Sequence, residues 1–229
     1  MSLTEKHDDA AVDLLIKEVD DDLRQEQINK LWKKHGSLVS AAAVALVLSV
    51  AGWQAYHSWE SKQRQASSLH YGEAVQLADQ GKRTEALDVL GRLGIDGTKG
   101  YRVLANLKSA DLHQQSGDAA GAAAIYRHLA ADSSVDGAIR DLATIKAAYL
   151  TLDQGDAAAI DKAVEPLAVE SSAWRHSAHE IQALAALKRG DTARAIDLFR
   201  RITEDAAAPQ GLRARAAEML AATGGRTQG

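Results

Sequence analysis

The pattern of apolar and polar positions changes character twice along the chain. From Val12 to Leu23 apolar residues recur at helical spacing, at Val12, Leu15, Ile16, Val19 and Leu23, with Asp20, Asp21 and Asp22 opposite them or at the edge of the stripe. Ile28, Leu31 and Trp32 extend that stripe less regularly. From Gly36 to Trp59 the period is lost because almost every position is apolar, and the stretch holds no Asp, Glu, Lys or Arg. Over 65–223 helical periodicity returns and itself repeats. These regimes divide the chain into an amphipathic tail (1–35), a hydrophobic helix (36–59), a repeat domain (60–223) and a short tail (224–229).

The middle regime predicts a membrane span. Leu38 to Tyr56 is apolar but for Ser40, Ser49 and Gln54, and as a helix it is about 28 Å long, close to the hydrocarbon thickness of a bilayer. A helix satisfies its own backbone hydrogen bonds, which lipid requires. Trp32 stands before the apolar core and Trp53, Tyr56 and Trp59 close its far end, where aromatic rings favour the headgroup zone. A buried core helix of this length would be unusual in a chain with so few aromatics, and a removable signal would stand nearer the N-terminus. A retained anchor is therefore the expectation. Lys30, Lys33 and Lys34 precede the span and only Lys62 and Arg64 follow it as closely, which places the N-terminus in the cytoplasm. Within the span, Ser37, Ala41, Ala45 and Ser49 recur every four residues and offer a small-residue stripe to another transmembrane helix. The tail before it either lies on the inner membrane surface, docks a partner or stays solvated; its acidic face opposes binding to anionic lipid.

The last regime turns on glycines at Gly81, Gly117, Gly155 and Gly190, at intervals of 36, 38 and 35 residues. Seven residues before each stand Ala74, Ala110, Ala148 and Ala183, and five after each stand Ala86, Ala122, Ile160 and Ala195. Nine after come Leu90, Tyr126, Val164 and Phe199, and twelve after come Leu93, Leu129, Leu167 and Ile202. The physical reading is a helical hairpin: glycine in the left-handed conformation ends the first helix, and Thr84, Asp118, Asp156 and Asp191 cap the second. Small residues let the paired helices approach, and the larger ones fill the gap to the next hairpin. Pro209 starts a final helix, Gln210 to Thr223, with Leu212, Ala216, Met219 and Leu220 on one face. Such a helix covers the last apolar face of a stack. At these positions the chain resembles the tetratricopeptide repeat family, whose period is about 34 residues. The resemblance implies an all-α fold: one N-terminal transmembrane helix, then an α-solenoid of about four degenerate hairpins with a C-terminal capping helix. The large aromatic that usually begins the first helix is replaced by His70, Asn106, Thr144 and His179.

Composition narrows function. Alanine-rich, proline-poor sequence with one Phe favours close-packed helices. A net charge of -4 argues against a nucleic-acid binder. The absence of cysteine excludes disulfides and thiolate chemistry. Gly91–Gly100 (GRLGIDGTKG) has the glycines of a phosphate loop but no Gly-Lys-Ser/Thr and follows a helix, so it reads as a flexible connector. His176 and His179 share a helix face, yet no third ligand is evident and the order is not His-Glu-x-x-His. No constellation supports catalysis, and no cofactor or metal is expected.

The segment Glu18–Gly36, EVDDDLRQEQINKLWKKHG, and the layout of tail, span and repeats resemble the bacterial family of ancillary SecYEG translocon subunits (YfgM-like, with a tetratricopeptide-repeat-like domain). That resemblance implies a single-pass inner-membrane protein beside the Sec translocon, with the C-terminal domain in the periplasm and periplasmic chaperones or unfolded secreted clients as partners. The expectation is a docking platform whose first helices line a groove, with Asn106, His113, Thr144, Thr151 and His179 as candidate partner-binding residues. The alternative is an envelope scaffold in another inner-membrane, cell-wall or outer-membrane assembly.

Overall fold

The computed structural model describes the backbone of residues 5–224 and the side chains of residues 32–224. The amphipathic face expected of the N-terminal tail therefore lies outside the described side chains, as does the tail at 225–229. The chain divides into two units, Met1–Lys62 and Gln63–Gly229. Helix α1 (Glu5–Asp79) contributes to both. Its charged segment Glu60–Arg64 continues the helix, as its alternating charges lead one to expect.

In the first unit the apolar stretch finds no cover. Leu38, Val44, Leu46, Val47, Leu48 and Val50 are exposed, as are Trp32, Trp53, Tyr56 and Trp59. Ser49 Oγ donates to Ala45 O at 2.7 Å, so the hydroxyl is satisfied within the helix. The edge of Trp53 meets His57 at 4.4 Å between ring centroids. An exposed apolar surface of this size is rare on a soluble monomer. Among the described residues α1 holds the one helix long and apolar enough to cross a membrane.

The second unit consists, after the end of α1, of α2 (Arg83–Asp96), α3 (Lys99–Gln115), α4 (Ala119–Ala131), α5 (Gly137–Thr151), α6 (Ala157–Val164), α7 (Arg175–Lys188), α8 (Thr192–Glu204) and α9 (Gln210–Ala222), with a 3-10 turn at Glu165–Leu167. No strand occurs among the described residues. From α2 to α9 each helix packs on its sequence neighbours; α7 also meets α5 and α9, and α3 meets the end of α1 through Tyr71 and Tyr101. That nearest-neighbour arrangement is a solenoid. The core is correspondingly a row of small clusters, such as Ala74, Leu90 and Ala105 at the first joint and Phe199, Leu212 and Leu220 at the last. All sixteen residues aligned on the four glycines are buried, from Ala74 to Ile202.

Three turns close identically. At Gly81, Gly117 and Gly190 φ is 76°, 79° and 79°, and the next amide donates back to the carbonyl five residues earlier: Lys82 to Leu77, Asp118 to His113 and Asp191 to Ala186, each at 2.9 Å. Gly155 departs from the expectation: its φ is not positive. Glycine is needed there for room instead, because a Cβ would stand 2.7 Å from Thr151 O and 3.1 Å from Ile160 Cδ1. The Thr151 carbonyl crowds the turn most, and Ile160, the large residue at a usually small position, adds to it. Gly224, φ 79°, closes α9 in the same left-handed way. It lies 34 residues after Gly190, so α9 stands at the position of a first helix of a further repeat.

Asp118, Asp156 and Asp191 cap as expected, accepting from Gly121 N at 2.8 Å, Ala158 N at 2.9 Å and Arg194 N at 3.1 Å. Thr84 does not: α2 already begins at Arg83, with Lys82 at the cap position and no side-chain bond. Asp136, unforeseen, caps α5 through Ala138 N at 2.9 Å. The segment Gly91–Gly100 is not a flexible connector. Helix α2 runs through it to Asp96, and only Gly97 and Thr98 separate α2 from α3. Thr98 N donates to Ser67 Oγ at 3.1 Å, which ties that short link to α1.

Candidate interaction surface

The five polar residues expected to line a groove stand on the first helices α3, α5 and α7, each half-buried. Three of them send their polar atoms to their own helix: Asn106 Nδ2 donates to Arg102 O at 2.8 Å, Thr144 Oγ1 to Arg140 O at 2.9 Å and Thr151 Oγ1 to Ala147 O at 2.8 Å. His113 Nδ1 donates to Asp118 Oδ2 at 2.8 Å and so braces the cap of α4. The Gly121 amide first, then His113, hold the Asp118 carboxyl below its usual range. His179 Nε2 donates to Ala168 O at 3.2 Å. Burial, the largest influence, lowers its pKa, and the backbone contact opposes that shift without cancelling it. Asn106 and His179 occupy equivalent repeat positions, and both meet the preceding hairpin: a Cβ on Gly94 would lie 3.2 Å from Asn106 Nδ2.

His176, three residues before His179, turns elsewhere. Its Nε2 donates to Asp205 Oδ2 at 2.8 Å, and Arg175 Nη2 reaches the same oxygen at 2.6 Å. His176, with the Ala207 amide and Arg175, holds the Asp205 carboxyl far below its usual range. Among the described residues no three His, Asp or Glu side chains cluster as a metal site would require.

The ionic ties that do hold the stack together escape sequence reading. Helix α7 carries most of them. Glu180, only 4% exposed, accepts from Tyr149 of α5 and from Arg215 Nε and Nη2 of α9 at 2.9 and 3.0 Å. Burial above all, then the Glu180 carboxylate, pushes the Tyr149 phenol upward. Lys188 Nζ donates to Leu152 O, Asp153 O and Gly155 O at 2.9, 2.8 and 2.8 Å, capping the end of α5. The buried Asp161 of α6 accepts from Arg189 at 3.0 Å and from Arg194 at 2.7 and 3.0 Å. A signal was present in outline: Glu180 and Asp161 fall on apolar faces, where an unpaired charge is costly and a partner is implied. The partner itself lies 28 to 35 residues away and no periodicity names it.

Short antiparallel helices turning on glycine and packing on their neighbours define a helical-repeat protein, a fold that presents surfaces to other proteins. Over residues 29–219 the sequence matches the family described as the tetratricopeptide repeat-like domain, and the chain belongs to that family. No curated protein matches it. The match takes in the apolar stretch of α1 as well as the repeats. Membership brings a protein-interaction fold, not a catalytic one.

Proposed function

We propose that this protein is a membrane-anchored interaction platform beside the Sec translocon, linking it to periplasmic chaperones and to secreted chains as they emerge. The observation that carries the reading is that one family match covers both the uncovered apolar helix and the repeats, so anchor and platform belong together. The span crosses the inner membrane with the N-terminus in the cytoplasm and the repeats in the periplasm, supported by Lys30, Lys33 and Lys34 before it. Ser37, Ala41, Ala45 and Ser49 form the stripe proposed to pack on a translocon helix. Partner chains run along α3, α5 and α7, past Asn106, His113, Thr144, Thr151 and His179. Anchoring raises the local concentration of the platform, so that weak contacts suffice.

Extraction in mild detergent followed by affinity capture tests the reading: translocon subunits co-purify. Their absence, with cell-wall or outer-membrane assembly proteins captured instead, would move the platform to another envelope complex. Replacing only the span and tail locates the contact, which is lost if it lies in the membrane and kept if it lies in the repeats.

A further inference from the structure

In every later hairpin the first helix buries one face against the hairpin before it. Twelve residues before the turn glycines stand Ala105, Ala143, Ala178 and Leu212, all buried. The same position in α1 is Leu69, which is 69% exposed. Eight residues before the glycines, Ser109, Ala147, Gln182 and Ala216 are buried, whereas Glu73 faces water. The face of the first hairpin is thus a joint with one half missing.

Part of that joint retains its shape. A cavity of about 490 Å³ lies between α1, from Gln63 on, and α2. A second, of about 260 Å³, lies one repeat later between α3 and α4. Seven residues lining the first, among them Ala66, Ser67, His70, Arg92 and Leu93, stand 36 positions before seven lining the second. The two cavities are copies of one site. What differs is that the second is partly closed by Gly94 and Ile95, the last turn of α2. A Cβ on Gly94 would stand 3.2 Å from Asn106 Nδ2, a tight contact that favours a small residue there, and Asn106 is the counterpart of His70. At the fourth copy of the position His179 meets the Ala168 carbonyl, which follows the 3-10 turn ending the preceding hairpin. His70, the first residue of this series, has no preceding hairpin against it and is exposed, with Glu73 at 3.5 Å.

We propose that the open face of the first hairpin is a seat for the C-terminal end of a partner protein's helix, carrying Gly or Ala in its last turn. The seat takes a helix end rather than a whole hairpin, because Glu73 and Gln76 further along α1 are polar and exposed. Arg92 makes no ion pair among the described residues and lines the cavity. It donates to the last carbonyls of the incoming helix, whose negative dipole end attracts a cation. Lys188 already does this for the end of α5. The inference rests on the reading of the domain as an interaction platform, but it concerns another face than α3, α5 and α7.

The test uses the full chain in detergent micelles and, as probe, this protein's own α2 as a labelled peptide, Arg83–Thr98, held helical by a lactam bridge formed in the Thr84→Lys peptide between that amine and the Asp88 carboxyl. Fluorescence anisotropy should show saturable binding. A66F, which fills the seat from an exposed position, should weaken it at least ~10-fold, as should Gly94→Leu in the peptide. Absence of binding up to millimolar peptide, or binding that survives either change with unaltered circular dichroism, overturns the seat. Self-association of the chain that A66F abolishes assigns the face to a second copy and overturns the partner assignment. Capture of translocon subunits with no peptide binding would leave the platform standing and the seat refuted; peptide binding without capture would do the reverse.

Discussion

The Glu180 cluster allows a sharp test of how charge is buried at the end of the stack. Glu180 is 4% exposed, but the Arg215 side chain that pairs with it is 58% exposed. The two ends of one ion pair therefore stand in different media. R215M leaves a carboxylate inside the domain with only Tyr149 to solvate it, at a cost of about 3 kcal/mol. E180Q removes the buried charge, keeps an oxygen for Tyr149 and frees Arg215 to hydrate, at a cost of about 1 kcal/mol. At roughly 2–4 °C per kcal/mol for a domain of this size, R215M lowers Tm by about 6–12 °C and E180Q by less than about 4 °C. The double variant E180Q/R215M is more stable than R215M alone, since neither charge is then stranded. Thermal melts of the full chain in micelles, followed by circular dichroism, read all three. If E180Q costs as much as R215M, or if the two losses simply add, the account of a buried acid held by an exposed base is wrong.

The turn glycines separate two requirements. G190A forces a side chain into φ 79° and destabilises by about 1–2 kcal/mol, whereas G211A, in the first turn of α9 with open space around it, stabilises by up to about 1 kcal/mol in urea titration. F199A empties the most bulky fully buried site and costs about 3–5 kcal/mol in the same titration. For His179, burial depresses the folded-state pKa; its contribution is present above the unfolded value and fades as pH falls through the folded one, so between about pH 7.5 and about pH 5.5 the wild type loses more Tm than H179Q. Equal slopes for the two proteins would remove His179 from the pH response. Alkaline carbonate wash should leave the protein in the membrane fraction, and a reporter fused after Gly229 should be active only outside the cytoplasm.

Local chemistry left its mark in the sequence wherever it repeats. The glycine turns, the sixteen aligned core positions, three of the four caps and the closing helix were legible because each depends on residues within one hairpin, whose spacing the α-helix fixes. The apolar stretch was legible for the same reason, since length and hydropathy along one helix need no partner. Where the reading failed, a neighbour intervened. The Thr151 carbonyl, with Ile160 beside it, changes why Gly155 must be glycine, and α2 runs through a glycine-rich segment that looked like a link, with Leu93 buried within it. The pairing of Glu180 with Arg215, of Asp161 with Arg194, and of Lys188 with the end of α5 was decided by the packing of one hairpin on the next. So was the open face at Leu69, which is 69% exposed at the repeat position where Ala105 is buried. A sequence records what each helix must hide; tertiary packing alone decides which helix does the hiding, and which face is left over.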